Sequence, residues 1–122
     1  MHITAVGISH KTAPIDIREK FYLDETRRRL LLSELKNNPA VVETIVLSTC
    51  NRTEIYAHTI VPDAREILFQ ALFKVKSLPF SPEQTRYFYV HKDSAAVCHL
   101  LRVASGLESV VLGENQILGQ VK

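Results

Sequence analysis

The sequence predicts an α+β fold: a ferredoxin-like βαββαβ unit with a four-stranded antiparallel sheet, followed by appended C-terminal helices. Three observations carry this. Val41-Val42-Glu43-Thr44-Ile45-Val46-Leu47 is an almost unbroken, β-branched apolar run without Gly or Pro, as a buried strand requires. Glu54–Ile60 alternates in period two shortly after it, which places a second strand behind a short connection. Ile67, Leu68, Ala71, Leu72 and Val75 then recur at helical spacing. With the helical stretch between the first two strands counted as one segment, the order is strand, helix, strand, strand, helix, strand.

Residues 2–8 alternate weakly and suit the first strand. Ser9-His10-Lys11-Thr12-Ala13-Pro14 is a polar loop, with Pro14 placed to open a short helix to about Phe21. Asp24 is an N-cap for the next helix, whose Leu31 and Leu35 face inward, and Asn37-Asn38-Pro39 stops it. The strand to Leu47, Cys50 and the strand from Glu54 follow. Pro62-Asp63 starts another helix, Pro79 and Pro82 mark a loop, and Arg86-Tyr87-Phe88-Tyr89-Val90 supplies the fourth strand. The remainder, from Asp93 to Lys122, is helical in pattern. The chain therefore divides, as one domain over 1–122, into a core at 1–92 and a helical extension at 93–122. In that extension Val97, Leu100, Leu101, Ala104 and Leu107 form one stripe, with His99 at its border and Arg102 opposite. Cys98 projects away from the stripe's centre.

A chain of 122 residues is long enough for a single core, and 46% hydrophobic with 23% charged residues is ordinary for a soluble globular domain. A net charge of +2 is too small to argue for a nucleic-acid or membrane surface. Arg27-Arg28-Arg29 fans around a helix and reads as a solvated face. Two cysteines make no disulfide framework, Met1-His2-Ile3-Thr4 is no signal peptide, and no apolar stretch reaches bilayer-spanning length. A cytoplasmic location with free thiols is expected. The five histidines fall into no metal-ligand spacing, so no metal is expected. Gly113 and Gly119 make neither a dinucleotide fingerprint nor a P-loop, so no cofactor site is expected within this chain.

Ser48-Thr49-Cys50-Asn51-Arg52-Thr53-Glu54 carries the chemistry. Polarity changes abruptly after Leu47, so the strand delivers Cys50 to the rim of the sheet. A thiol is a nucleophile as thiolate, and a neighbouring guanidinium favours that form and also holds an anionic substrate. If residues 50 to 52 stay extended, Cys50 and Arg52 share a face. Cysteine is also a common packing residue, but packing cysteines sit among apolar neighbours, not between Thr49 and Asn51. His99, half-buried at a helix border, is available either for proton transfer or as a structural residue at the core edge.

These residues together resemble the glutamyl-tRNA reductase family over essentially the whole chain. Gly7-Ile8-Ser9-His10-Lys11-Thr12-Ala13-Pro14 is similar to the family's opening signature, and Leu47-Ser48-Thr49-Cys50-Asn51-Arg52-Thr53-Glu54 to its nucleophile motif. The stretch from Arg102 to Lys122, with Val110-Val111-Leu112-Gly113-Glu114-Asn115-Gln116-Ile117-Leu118, is similar to its third. Three motifs in order are specific where one would not be. The resemblance implies that Cys50 attacks the aminoacyl ester of glutamyl-tRNA, and that His99 stands near the thiol and serves activity. Thr49, Asn51 and Arg52 would line the glutamate pocket, with Arg52 on the side-chain carboxylate. Ser109, Glu114, Asn115, Gln116 and Gln120 would complete it, Asn115 standing where family members vary. His10 and Lys11 belong to the first motif without an assigned chemistry.

The resemblance further implies that hydride from NADPH reduces the resulting thioester to glutamate-1-semialdehyde, the first step of the C5 route to tetrapyrroles and porphyrins. NADPH and homodimer contacts are expected to belong to domains absent from this chain, and glutamate-1-semialdehyde aminomutase is the expected downstream partner. The competing reading is a non-catalytic ferredoxin-like module that binds RNA or protein. Its stacking residues would be Tyr87, Phe88 and Tyr89, but consecutive strand residues alternate faces and make no single platform.

Overall fold

Strands β1 (His2–Ser9), β2 (Val41–Ser48), β3 (Arg52–Thr59) and β4 (Tyr89–Lys92) pair antiparallel into one sheet in the order β2-β3-β1-β4. The computed structural model describes residues 2–106. That strand order is the split βαβ arrangement the element sequence predicts. Helices α1 (Ile15–Phe21) and α2 (Glu25–Lys36) connect β1 to β2, and α3 (Arg65–Val75) connects β3 to β4. Helix α4 (Ser94–Ala104) follows β4.

Local chemistry sets these boundaries. Asp24 accepts a hydrogen bond from Arg27 N–H at 2.8 Å, the N-cap of α2, and the helix ends at Asn37. Leu31 and Leu35 are fully buried against Leu68 and Leu72 of α3 and against Val6, Ile8, Ile55 and Ala57 of the sheet. Phe21 meets Phe73 and Phe88 edge-on at 5.1 and 5.0 Å, which closes this core at the α1 end.

The second face of the sheet is covered by α4. Ala5, Leu47 and Tyr56 pack there against Ala96 and Val103, with Ile3, Ile45 and Leu100 around them. Covered on both sides, β3 is buried continuously from Arg52 to Ala57 and does not show the alternation expected of it. The buried side of α4 also differs from the predicted stripe: Ala96 and Val103 face the sheet with His99 and Leu100 beside them, while Val97 and Leu101 are exposed. Asp93 sets that phase. It takes φ 53°, donates its N–H to Ile3 O at 2.7 Å and accepts the Ile3 N–H at 3.0 Å, so α4 starts in a fixed orientation.

The fourth strand begins later than predicted. Gln84–Tyr87 form a 3-10 turn in which Thr85 Oγ1 donates to Pro82 O at 2.5 Å and Gln84 N–H to Ser81 O at 3.1 Å. Those local bonds compete with extension, and Phe88 turns into the α1–α3 core.

Gly7 faces Glu54 on one neighbouring strand and Tyr89 on the other. A Cβ there would lie 2.6 Å from the Tyr89 ring. Gly7→Ala should therefore cost about 1–3 kcal/mol of stability through overpacking. A urea melt reads this, and an unchanged midpoint would contradict it.

Candidate active site

Strands β2 and β3 are joined by Cys50-Asn51, closed by Thr49 N–H donating to Arg52 O at 2.8 Å. Neither loop residue takes the positive φ that the usual two-residue hairpin turns need. The loop is instead held from outside. His10 N–H donates to Asn51 O and Arg18 Nη1 to Cys50 O, both at 3.0 Å, and Asn51 N–H donates to Thr49 Oγ1 at 3.2 Å. Beneath them, buried Ser48 Oγ accepts Leu23 N–H at 2.9 Å and meets Thr53 Oγ1 at 2.9 Å. The polar residues around Cys50 are thus a bracket that fixes the backbone, while Cys50 itself is exposed and unbridged. It lines a cleft of about 350 Å³ with Ile15, Arg18, Glu19, Tyr22 and Thr49.

The signature loop at 9–14 therefore has a structural task, carrying His10 to the hairpin. Burial, and then the charges of Arg52, Lys11 and Arg18, hold the His10 imidazole below its ordinary 6.5, so it is neutral at pH 7.

On the α4 side of the sheet, Arg52, Glu54 and Tyr56 are alternate residues of β3 and so project to one face. Glu54 is 1% exposed and Arg52 3%, with Arg52 Nη1 3.7 Å from Glu54 Oε2. Tyr56 donates to Glu54 Oε1 at 2.9 Å, Tyr89 donates to Oε2, and His99 Nε2 lies 2.6 Å from Oε2. Burial works against ionisation of Glu54. The hydrogen bonds from His99, Tyr89 and Tyr56, together with the His99 charge, overcome it and hold the carboxyl below its ordinary value. The ionised carboxylate can only accept, so His99 Nε2 is the donor and Nδ1 is the nitrogen left for other work. Burial, followed by the adjacent Glu54 charge, pushes the Tyr56 and Tyr89 hydroxyls above their ordinary range. His91 stacks on His99 with ring centroids 4.6 Å apart.

Residues 50 and 51 bend and do not stay extended, so strand alternation does not put Cys50 and Arg52 on one face. Cys50, exposed, lines the α1 cleft, while Arg52 is buried in β3 beneath α4. No hydrogen bond joins Cys50 to His99 among the described residues. Ser109, Glu114, Asn115, Gln116 and Gln120 lie outside the described residues. Arg18, Glu54, Tyr89 and His91 were missed from sequence. The signal for Glu54 was present, since Arg52, Glu54 and Tyr56 stand two apart on a predicted strand.

Among the described residues no group of three or more His, Cys, Asp or Glu is arranged to hold a metal. They do not fit a dinucleotide either: Gly7 lies mid-strand under the Tyr89 ring, not in a turn open to a pyrophosphate. No described helix is long and apolar enough to cross a membrane.

Fold and site define a class, a ferredoxin-like domain that presents a solvent-open thiol at a bracketed hairpin tip. The chain belongs to the glutamyl-tRNA reductase amino-terminal domain family: the family model described as "Glutamyl-tRNAGlu reductase, N-terminal domain" matches residues 6–122. Glutamyl-tRNA reductases from Crocosphaera subtropica and Oceanobacillus iheyensis are 47% and 45% identical across 100% of this chain. The match covers 28% and 27% of those relatives, so the chain spans little more than a quarter of their length. The solved glutamyl-tRNA reductase from Methanopyrus kandleri is similar at 32% identity and TM-score 0.66, over 98% of this chain and 26% of its own.

Proposed function

We propose that residues 1–122 act as the catalytic domain of a glutamyl-tRNA reductase, with Cys50 as the nucleophile toward glutamyl-tRNA. The observation that carries this reading is the exposed Cys50 thiol on a backbone locked by His10, Arg18 and Thr49. The Sγ–C bond to the glutamyl carbonyl forms, the C–O bond to the terminal ribose breaks, and the thiol proton ends on the released ribose oxygen. An aminoacyl ester is already activated, so the step needs no ATP.

Arg52 is the proposed partner of the substrate's side-chain carboxylate. Its guanidinium is anchored by Glu54, and its charge is felt at His10 beside the hairpin. A cation at that place favours glutamate over glutamine. His99, oriented by Glu54 through Nε2, is the proposed proton-transfer residue through Nδ1. Thr49 and Asn51, with Ser109, Glu114, Asn115, Gln116 and Gln120, are the remaining proposed pocket residues.

NADPH would supply the hydride that reduces the acyl group. The described residues do not fit that cofactor, so no reductive step is derived from them. Glutamate-1-semialdehyde aminomutase as downstream partner, a homodimer and a reducing cytoplasm that keeps Cys50 free belong to the same proposal. The binding-module alternative loses its platform: Phe88 is packed on Phe21 and Phe69, and Tyr89 is tied to Glu54.

The test is label transfer. Incubated with glutamyl-tRNA carrying labelled glutamate, the chain should take up label that hydroxylamine releases. Absence of protein-bound label, or label stable to hydroxylamine, would remove the reading.

A further inference from the structure

The Cys50 cleft has a wall that neither glutamate recognition nor proton transfer uses. Ile15 is 62% exposed and Tyr22 43% exposed, both on or beside α1, and both line the cleft with the thiol. Two large apolar side chains open side by side on the wall of a cleft make a surface that a bound substrate can cover. Their backbone is not loose. Tyr22 O accepts Lys76 Nζ at 2.6 Å, and Tyr22 N–H donates to Glu19 O at 3.4 Å, so the ring stands on a fixed base.

Resting on the reading of Cys50 as the nucleophile toward glutamyl-tRNA, we infer that the α1 cleft seats the terminal adenosine of the acyl donor, its base against Tyr22 and Ile15. In the reaction the ester carbon must sit on Sγ, and its two substituents diverge from there. Arg52 and the Glu54 cluster lie on the α4 side of the sheet, which draws the glutamyl chain that way. The cleft toward α1 is the side left for the ribose and its base. Its volume of about 350 Å³ suits a nucleoside, at the lower end of the 300–1,000 Å³ range of small-molecule clefts. Base stacking on an exposed aromatic ring is the ordinary way proteins hold an unpaired terminal nucleotide.

The polar groups agree. Arg18 lines the cleft and its Nη1 donates to Cys50 O, so a cation stands beside the place proposed for the nucleotide. Glu19 adds an acceptor, which suits the exocyclic amine of adenine and argues against a bare anion as occupant.

The experiment compares two activated glutamyl donors on the full chain, the 3′-O-glutamyl ester of adenosine and the benzyl thioester of glutamate, with Cys50 acylation rates read by intact mass. The readout is the ratio of the two rates. Tyr22→Ala should lower that ratio about tenfold, the loss expected for one stacked base. Tyr22→Phe, which keeps the ring, should leave the ratio where it was. A ratio unmoved by Tyr22→Ala, or lowered equally by Tyr22→Phe, would overturn the inference. Acylation of the unaltered protein by neither donor would instead remove the reading of Cys50 on which the inference rests, and that result is distinct from an acylated thiol indifferent to Tyr22.

Discussion

Replacing Glu54 by alanine should destabilise the domain by about 3–5 kcal/mol, the usual cost of breaking a buried ion pair from one side. Four groups lose their acceptor at once: Arg52, Tyr56, Tyr89 and His99 all point at this one carboxylate. Arg52, only 3% exposed, would lose the Glu54 counter-charge in a setting closed to water. Glu54→Gln keeps the shape and part of the hydrogen bonding, so it should fall between the two. Because the Glu54 carboxyl is held below its ordinary 4.5 in the folded state, its contribution is fully present above that value. It is lost as pH falls through the lower, folded value. The stability gap between the native protein and Glu54→Gln, measured by denaturant melts, should therefore be constant near neutrality and shrink below about pH 4.5. A gap that widened on acidification would mean the carboxyl is protonated when folded.

The second large effect concerns Arg52. Arg52→Lys keeps the charge but loses the planar fork that serves Glu54 and, as proposed, the substrate carboxylate together. Acylation efficiency with a glutamyl donor should fall roughly 10- to 150-fold, the equivalent of one charged hydrogen bond of about 1.5–3 kcal/mol. The preference for glutamyl over glutaminyl donors should shrink with it, a change that mere loosening of the fold would not produce. A thermal melt of the same variant separates the two contributions. Unchanged efficiency and unchanged preference would take Arg52 out of the pocket.

The sheet was legible because apolar runs such as 41–47 are long and unambiguous, and Asp24 caps α2 as its residue type suggests. The fourth strand was misplaced because Tyr87, Phe88 and Tyr89 have the composition of a strand while hydrogen bonds around Pro82 and Thr85 wind the segment before it. The α4 phase was misread for a related reason. Helical periodicity favours the bulky Val97 and Leu101, whereas the small Ala96 is what lets the helix approach the sheet. At the site, Cys50 stood out from its polar setting, but that setting proved to be backbone bracing that no spacing rule reveals. His99 stands out at the helix border in the sequence, while its contact partner Glu54 does not, because contacts between residues 54 and 99 are set by the fold and not by local pattern.

Both cysteines are exposed and free, and Cys50 is the one proposed to receive the glutamyl group. Intact-mass spectra of Cys50→Ser and Cys98→Ser after exposure to glutamyl-tRNA test it most directly. The adduct is expected on Cys98→Ser and not on Cys50→Ser. An adduct that persists in Cys50→Ser and disappears in Cys98→Ser would contradict it.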